Sequence, residues 1–182
     1  MWMPILIGLL ALLAYEMVWR IEPAERGVVM RFGKYVDTLL PGPHIRLPRP
    51  FEEVIKINVQ QIRPFTVDAT MPTGDENIVD VEMAVQYRIK DVKNYLFLNA
   101  DPDATVNRAA ESAIRDIIGQ STLDFVITEG RAQIAADATT LIQSILDNYK
   151  SGIEITSVSM QPAKPPEQVK AAFDDAIKAR ED

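Results

Sequence analysis

The sequence predicts an α+β fold behind an N-terminal transmembrane helix, and three observations carry that prediction. The chain opens on a long apolar run. In the first half of the remainder, apolar residues alternate with polar ones, which is the period of a half-buried β-strand. In the second half they recur at helical spacing before one last alternating segment. Strands followed by helices and a returning strand favour helices packed on a mainly antiparallel sheet.

The apolar run extends from Met1 to Trp19, and its first ionisable side chain is Glu16. About 18 helical residues reach roughly 27 Å, close to one hydrocarbon thickness, and a tryptophan at each end suits the bilayer interfaces. A cleaved signal peptide and a buried soluble helix are the alternatives, but no Lys or Arg precedes the run as a signal peptide requires. We therefore predict a membrane anchor over residues 1–20. Its apolar side chains are Trp2, Ile5, Leu6, Ile7, Leu9, Leu10, Leu12, Leu13 and Trp19.

Shorter strands are predicted directly after the anchor. Alternation at residues 28–32, followed by a turn at residues 33–35, predicts a hairpin. The proline-rich stretch that ends at Pro50 is predicted to be irregular. Residues 55–59 alternate again, and a further strand follows Pro64, which confines that strand to a sheet edge or to its own first position.

The clearest strand lies at residues 79–89, where six apolar side chains alternate with mostly polar ones. Asp80 and Glu82 fall on the polar side, so that face is predicted to contact solvent. The other face is predicted to lie in the core. Its residues are Val79, Val81, Met83, Val85, Tyr87 and Ile89.

Helices and one returning strand are predicted in the second half of the chain. Asp101 as N-cap opens a helix that Gly119 closes. A short helix follows, and a longer one covers residues 129–149 with Tyr149 on its apolar face. Alternation at residues 153–158 predicts the returning strand, after which a last helix begins. The apolar stripe of that last helix is also a candidate helix–helix interface, formed by Val169, Phe173 and Ile177.

Composition and charge exclude several classes of function. The chain has no cysteine, which leaves no disulfide, thiol nucleophile or Cys-based metal site. Its net charge is −7. Residues 1–70 hold 8 Lys and Arg against 7 Asp and Glu, whereas residues 71–182 hold 11 against 19. An acidic outer half argues against nucleic acid, which binds basic faces, and disfavours adsorption on anionic lipid.

No residue set carries a recognisable catalytic, cofactor or metal site. His44 is the only histidine, and we predict a surface or turn residue rather than a catalytic base. The acidic residues at 75–82 are predicted to form the solvated face of the long strand rather than a cation site. Gly27, Gly33 and Gly42 stand singly among strand and turn residues and do not make a phosphate loop. We therefore predict that the protein is not an enzyme and uses no cofactor or metal.

Several segments resemble the SPFH or band 7 family, which includes stomatins, prohibitins and flotillins. Residues 23–34, with the sequence PAERGVVMRFGK, resemble the opening of that domain, and residues 41–48 resemble the proline-rich turn after it. Other segments are similar to the HflK branch of the family, and the likeness extends to residue 182. The HflK-like segments are residues 75–82, 85–89, 128–131 and 172–175.

The resemblance implies a single-span protein of the bacterial inner membrane with its SPFH domain in the periplasm. HflK-like proteins pair with HflC, form ring or cage assemblies and restrain the membrane AAA protease FtsH. The expected partners are therefore an HflC-like SPFH protein, an FtsH-like AAA protease, further copies of the chain and the lipid bilayer. The family also has a glycine-rich stretch before the anchor and a long coiled coil after the domain. We therefore expect a fragment or a shortened relative.

The predicted domains are an anchor at residues 1–20, an SPFH domain at 21–164 and the start of a C-terminal helix at 165–182.

The basic residues and the family resemblance predict opposite orientations of the chain in the membrane. Arg20, Arg26 and Arg31 lie just after the anchor with no basic residue before it, which the positive-inside rule associates with a cytoplasmic domain, as in stomatin-like proteins. We follow the resemblance and expect a periplasmic domain.

The sequence thus predicts a membrane-anchored, non-enzymatic SPFH scaffold that regulates an FtsH-like protease in membrane protein quality control. A stomatin-like organiser of membrane domains, without FtsH, is the first alternative. A hydrolase is a distant alternative. An adjacent gene for a second SPFH protein would favour the HflK-like function, whereas an adjacent gene for a membrane serine protease would favour the stomatin-like one.

Overall fold

The computed structural model describes residues 8, 15, 17–48, 50–98, 101–128 and 130–162. The order of the elements in this part of the chain is seven strands, four helices and a last strand. The strands are β1 (Val18–Ile21), β2 (Glu25–Arg31), β3 (Lys34–Leu39), β4 (Gly42–Ile45), β5 (Glu52–Asn58), β6 (Arg63–Pro72), β7 (Ile78–Ile89) and β8 (Ile153–Met160). The helices are α1 (Val92–Phe97), α2 (Pro102–Gly119), α3 (Leu123–Ile127) and α4 (Arg131–Asn148).

The described strands form three antiparallel sheets. β1 pairs with β4, β2 lies between β3 and β5, and β7 lies between β6 and β8. Helix α2 packs against β6 and α4, and α4 packs against β8. The predicted α+β fold with antiparallel sheets is therefore confirmed for the described residues.

The main core lies between the β6–β7–β8 sheet and the helices. All six apolar residues predicted for the inner face of the long strand are buried, and that strand is β7. The apolar side of α2 packs against them, including Ala113 and Ile114 at 0% and 1% exposure. A smaller core lies beside β2 and consists of Ile21, Val29, Leu39 and Val54, with Trp19 packed against it.

The predicted start of α2 is confirmed in atomic detail. The Asp101 side chain accepts a hydrogen bond from the Ala104 N–H at 3.0 Å, and Pro102 occupies the first turn. The cap satisfies an amide that the helix itself leaves without a partner. Helix α4 departs from prediction at its end, where Leu146 is fully buried while Tyr149 is 64% exposed beyond the last turn.

Strand β1 begins inside the range predicted as the anchor. Trp19 pairs with His44 and Arg20 with Pro43 in the β1–β4 ribbon. Residues 18–20 of the range predicted as the anchor therefore lie in a sheet with β4, and the anchor itself stays a prediction. The apolar anchor residues from Trp2 to Leu13 lie outside the described residues.

Two further elements differ from prediction. The proline-rich stretch is not irregular throughout, since β4 forms in it, and Pro43 fits there because β4 is the edge of a two-stranded ribbon. Helix α1 was not predicted. The Asp91 side chain caps it by accepting from the N–H groups of Lys93 and Asn94 at 2.9 and 3.2 Å. Only six residues long, α1 is too short for a helical period to stand out.

Candidate interaction surface

One end of the β1–β5 region carries five exposed apolar side chains, which we call the apolar end: Val18, Phe32, Ile45, Leu47 and Phe51. Phe32 and Ile45 are each 75% exposed. Val18 lies opposite Ile45 in the β1–β4 ribbon, and the rings of Phe32 and Phe51 meet edge to face with centroids 6.2 Å apart. A contiguous exposed apolar surface marks a contact site for protein or membrane.

The tip of the β2–β3 hairpin places Phe32 in this surface. Arg31 pairs with Lys34, so the loop contains only Phe32 and Gly33. Their φ angles are 50° and 77°, the left-handed values of a type I′ turn. A bulky non-glycine residue in this region is strained. The predicted hairpin is confirmed, with its turn one residue earlier than expected, and its strained phenylalanine is a candidate contact residue.

A buried carboxylate holds the apolar end together. Glu52 is 3% exposed and accepts two hydrogen bonds from Arg31 at one oxygen, from Nη2 at 2.5 Å and from Nε at 3.1 Å. Its second oxygen accepts the Leu47 N–H at 3.1 Å. The bonded Arg31 guanidinium holds the pKa of Glu52 below its ordinary value, against the opposing effect of burial. Glu52 thereby fixes the β4–β5 loop, which carries Leu47, against β2.

The segment that precedes β1 joins the domain at this same end. The Arg46 N–H donates to the Met17 carbonyl at 2.9 Å, which extends the β1–β4 ribbon by one step toward the N-terminus. The residues predicted as the anchor therefore connect beside Val18 and Ile45. Over the residues that the structure describes, no helix has both the length and the apolar character to cross a bilayer.

The residues considered for chemistry have structural contacts instead. His44 is half-buried in β4, with Nε2 2.7 Å from the Leu40 carbonyl oxygen. In the described part of the chain, no group of three or more His, Cys, Asp or Glu is placed to hold a metal ion. The candidate helix–helix residues Val169, Phe173 and Ile177 lie outside the described residues.

Asp75 does not lie on the solvated face of the long strand, and that part of the prediction is wrong. It sits in the β6–β7 turn, where it accepts the Thr73 hydroxyl at 2.5 Å and the Leu123 N–H at 3.0 Å. These bonds hold the pKa of Asp75 below its ordinary value, with the Thr73 bond as the largest cause. They tie the turn to the start of α3. Asp80, by contrast, does lie on the strand and accepts the Thr70 hydroxyl at 2.6 Å.

A polar cluster beneath α2 was not predicted from the sequence. The Tyr87 hydroxyl donates to Asp103 Oδ1 at 2.5 Å, and Arg63 Nη1 donates to the Tyr95 hydroxyl at 2.9 Å. Burial, reinforced by Asp103, raises the pKa of Tyr87, so its phenol stays protonated and acts as a donor. Tyr87 fits the apolar alternation of β7, so the sequence pattern indicates only a core residue. It does not indicate that the Tyr87 hydroxyl also binds Asp103 and helps to position α2.

Comparison with known proteins places the chain in a family. A family model described as SPFH domain / Band 7 family matches residues 19–182. Protein HflK of Buchnera aphidicola subsp. Acyrthosiphon pisum is 47% identical over 163 residues, covering 90% of this chain and 40% of the relative. Protein HflK of Vibrio cholerae is 46% identical over 164 residues, covering 90% and 41%. Modulator of FtsH protease HflK of Escherichia coli K12 is 44% identical over 163 residues, covering 90% and 39%.

The matched region starts within β1, at Trp19, and includes both cores and every member of the apolar end except Val18. These relatives confirm the resemblance to the HflK branch that residues 75–89 indicated. The chain spans about two fifths of the length of the curated relatives it matches. It belongs to the SPFH domain / Band 7 family.

Proposed function

We propose that the chain is the non-enzymatic, membrane-anchored SPFH unit of an HflK-like scaffold that restrains an FtsH-like AAA protease. The observation that supports this most strongly is the 44% identity over 163 residues to a protein named Modulator of FtsH protease HflK. The mechanism is geometric. Anchored copies, together with an HflC-like SPFH protein, associate laterally and limit which substrates reach the protease. Because anchors confine the copies to two dimensions, weak lateral contacts suffice.

The proposal places the apolar end against the bilayer of a bacterial inner membrane. The predicted anchor lies within residues 1–20, and the chain joins the β1–β4 ribbon beside Val18 and Ile45. Exposed apolar side chains there gain free energy on leaving water for the lipid interface. Arg31 and Lys34 flank them and suit lipid phosphates.

Co-purification tests the proposed partners. Full-length tagged chain is expressed in its host, solubilised with mild detergent and captured, and an unrelated single-span protein with the same tag is the control. We expect the chain, but not the control, to recover an FtsH-like protease and an HflC-like SPFH protein. Recovery of neither would contradict the proposal.

A stomatin-like organiser with a cytoplasmic domain remains the second candidate, because Arg20 and Arg26 follow the anchor. The absence of cysteine allows a direct test, in which Lys150→Cys introduces a single exposed thiol. We expect a membrane-impermeant maleimide to label this thiol in intact spheroplasts, as a periplasmic domain requires. Labelling only after lysis would favour the stomatin-like candidate, and the cysteine-free parent is the control for background.

A further inference from the structure

A cavity of about 680 Å³ lies where the β1–β5 region meets the rest of the domain, and the proposed function does not use it. One side is formed by β2, β3 and the loop after β5, and the other by the end of β7, α1 and β8. We call it the junction pocket. Its charged lining residues are Arg26, Arg88, Lys90, Asp91, Lys93 and Glu154.

Both carboxylates of the junction pocket are already engaged. Asp91 caps α1 through the N–H groups of Lys93 and Asn94. Glu154 accepts Arg88 Nε at 2.7 Å, and this bond holds the pKa of Glu154 below its ordinary value. Hydrogen bonding leaves both negative charges in place, so the lining carries four positive side chains against two negative ones, a net of +2.

Three cations of the junction pocket form no direct salt bridge among the described residues, although the charge of Lys90 also lowers the pKa of Glu154. None of the salt bridges among the described residues involves Arg26, Lys90 or Lys93. Arg26 donates one N–H to the Glu25 carbonyl at 2.9 Å and keeps its other donors. Lys93 Nζ lies 4.8 Å from the centroid of the Tyr35 ring, which leaves its charge intact. In a chain of net charge −7, this is a local excess of positive charge that an anion would neutralise.

We propose that the junction pocket binds a small multivalent anion, carrying phosphate or carboxylate groups, that is free in solution. Arg26 reaches the pocket from β2, whereas Lys90 and Lys93 reach it from the other side, so one anion would bridge the two parts of the domain. The planar guanidinium suits two oxygens of one such group. Arg26 and Arg31 lie near opposite ends of β2, roughly 17 Å apart at strand spacing. A lipid headgroup held at the apolar end would therefore not fill the pocket.

Calorimetric titration of the full chain in an uncharged detergent tests the proposal, with inorganic phosphate and citrate as probes. Potassium chloride at matched ionic strength is the blank. We expect saturable binding of one anion per chain and a higher thermal unfolding temperature with phosphate than with chloride. The double variant Lys90→Gln with Lys93→Gln should bind at least tenfold more weakly. The matched control is Arg108→Gln with Lys150→Gln, which removes two exposed charges outside the pocket and should bind as the parent does.

Three outcomes would overturn the proposal. The first is that phosphate and citrate give no more heat of binding or thermal stabilisation than chloride at matched ionic strength. The second is that the Lys90 and Lys93 variant binds both anions as tightly as the parent does. Alternatively, those two lysines would matter only for binding to vesicles that contain phosphatidylglycerol, which would assign the pocket to lipid. Co-purification does not depend on this pocket, so each of these failures leaves the proposed function to its own test.

Discussion

At the scale of single residues, the apolar end depends on how one buried carboxylate is satisfied. The Glu52 side chain is 2% exposed, whereas that of Arg31 is 46% exposed. Solvent screens the arginine, so the Coulombic attraction of the pair is modest. The larger effect is that both oxygens of a buried acid keep hydrogen-bond partners, since a buried polar group without one is destabilising. Replacing the acid should therefore weaken the domain even though its partner faces water.

We predict that Glu52→Gln lowers the free energy of unfolding by about 1–3 kcal/mol, the cost of leaving a buried polar group without its partner. The neutral amide has only one oxygen acceptor, which binds Arg31 more weakly than a carboxylate does. Whichever of the Arg31 guanidinium and the Leu47 N–H this oxygen accepts from, the NH2 group is turned toward the other donor. Urea unfolding of the full chain in detergent measures the change. The neighbouring exposed Glu53→Gln is the control and should stay within about 0.5 kcal/mol of the parent. Equal losses of unfolding free energy in both variants would show that the hydrogen bonds of buried Glu52 add no stability beyond that of an exposed glutamate.

The same carboxylate predicts a pH dependence of stability. Its bond to Arg31 lowers the pKa of Glu52 from 4.5, so on acidification the unfolded chain takes up the proton first. The stabilisation is fully present above the unfolded pKa and is lost as pH falls through the lower, folded value. We expect the difference in unfolding free energy between the parent and Glu52→Gln to shrink below about pH 4.5. Urea titrations between neutral and acidic pH measure it, and a difference independent of pH would contradict the assignment.

At the scale of elements, the sequence was predictive where a long local pattern decides the structure. β7 alternates over 12 residues and α2 repeats its apolar stripe over 18, so both patterns stand above chance. β1 and β4 were not predicted, because each has four residues and forms only by pairing with the other. For α1, the deciding contact is likewise distant, since the Asp91 N–H donates to the Gly152 carbonyl at 3.0 Å.

We predict that Gly152→Ala destabilises the domain by at least about 1 kcal/mol. Gly152 has φ +71°, and a Cβ there would lie 2.8 Å from the Tyr95 nitrogen and in contact with the Asp91 carbonyl. The methyl group would therefore push α1 away from β8. Gly119→Ala is the matched control, because its added Cβ would meet nothing within 4 Å apart from its chain neighbours and the backbone of its own helix. Thermal unfolding compares the two, and a Gly152→Ala chain as stable as Gly119→Ala would disprove this contact.

The outer edge of β8 provides a second prediction for an element. Gln143 of α4 covers the start of that edge, where its side chain accepts the Ile155 N–H at 2.8 Å and donates to the Ile153 carbonyl at 3.2 Å. An edge strand without such cover is a template for unwanted pairing. We expect Gln143→Ala to cost about 1–2 kcal/mol and to increase aggregation on heating, measured by urea unfolding and light scattering. Gln133→Ala, an exposed position on the same helix, should change neither quantity.

At the scale of the whole molecule, the candidate site was only partly predictable. The apolar run, the acidic outer half and the HflK-like segments are continuous in sequence, and they indicated the family and the membrane without any structure. The apolar end is not continuous, because its members come from β1, the β2–β3 turn, β4 and the β4–β5 loop. In sequence, Phe32 reads as an ordinary strand residue, and Ile45 lies in the stretch predicted to be irregular. Only the fold shows that both face outward, beside the point where the N-terminal segment joins.

The placement of the apolar end predicts that Trp19 lies close to lipid headgroups. Trp2→Phe leaves Trp19 as the only tryptophan, so its fluorescence in vesicles reports on one position of β1. We expect lipids brominated near the headgroup to quench this fluorescence more than lipids brominated near the chain ends, because the proposed contact holds β1 at the interface.

Further changes in the Trp2→Phe background separate the apolar end from the anchor. Phe32→Ser with Phe51→Ser removes the ring pair that is exposed on the domain. If each ring contributes on the order of 1 kcal/mol when it is buried in lipid, this change should reduce the quenching by about half or more. The matched control, Phe125→Ser with Tyr149→Ser, removes two exposed aromatic rings on the helical side and should leave quenching unchanged. Equal quenching in all three chains would mean that the anchor alone holds the domain near the membrane. The apolar end would then have to face another protein.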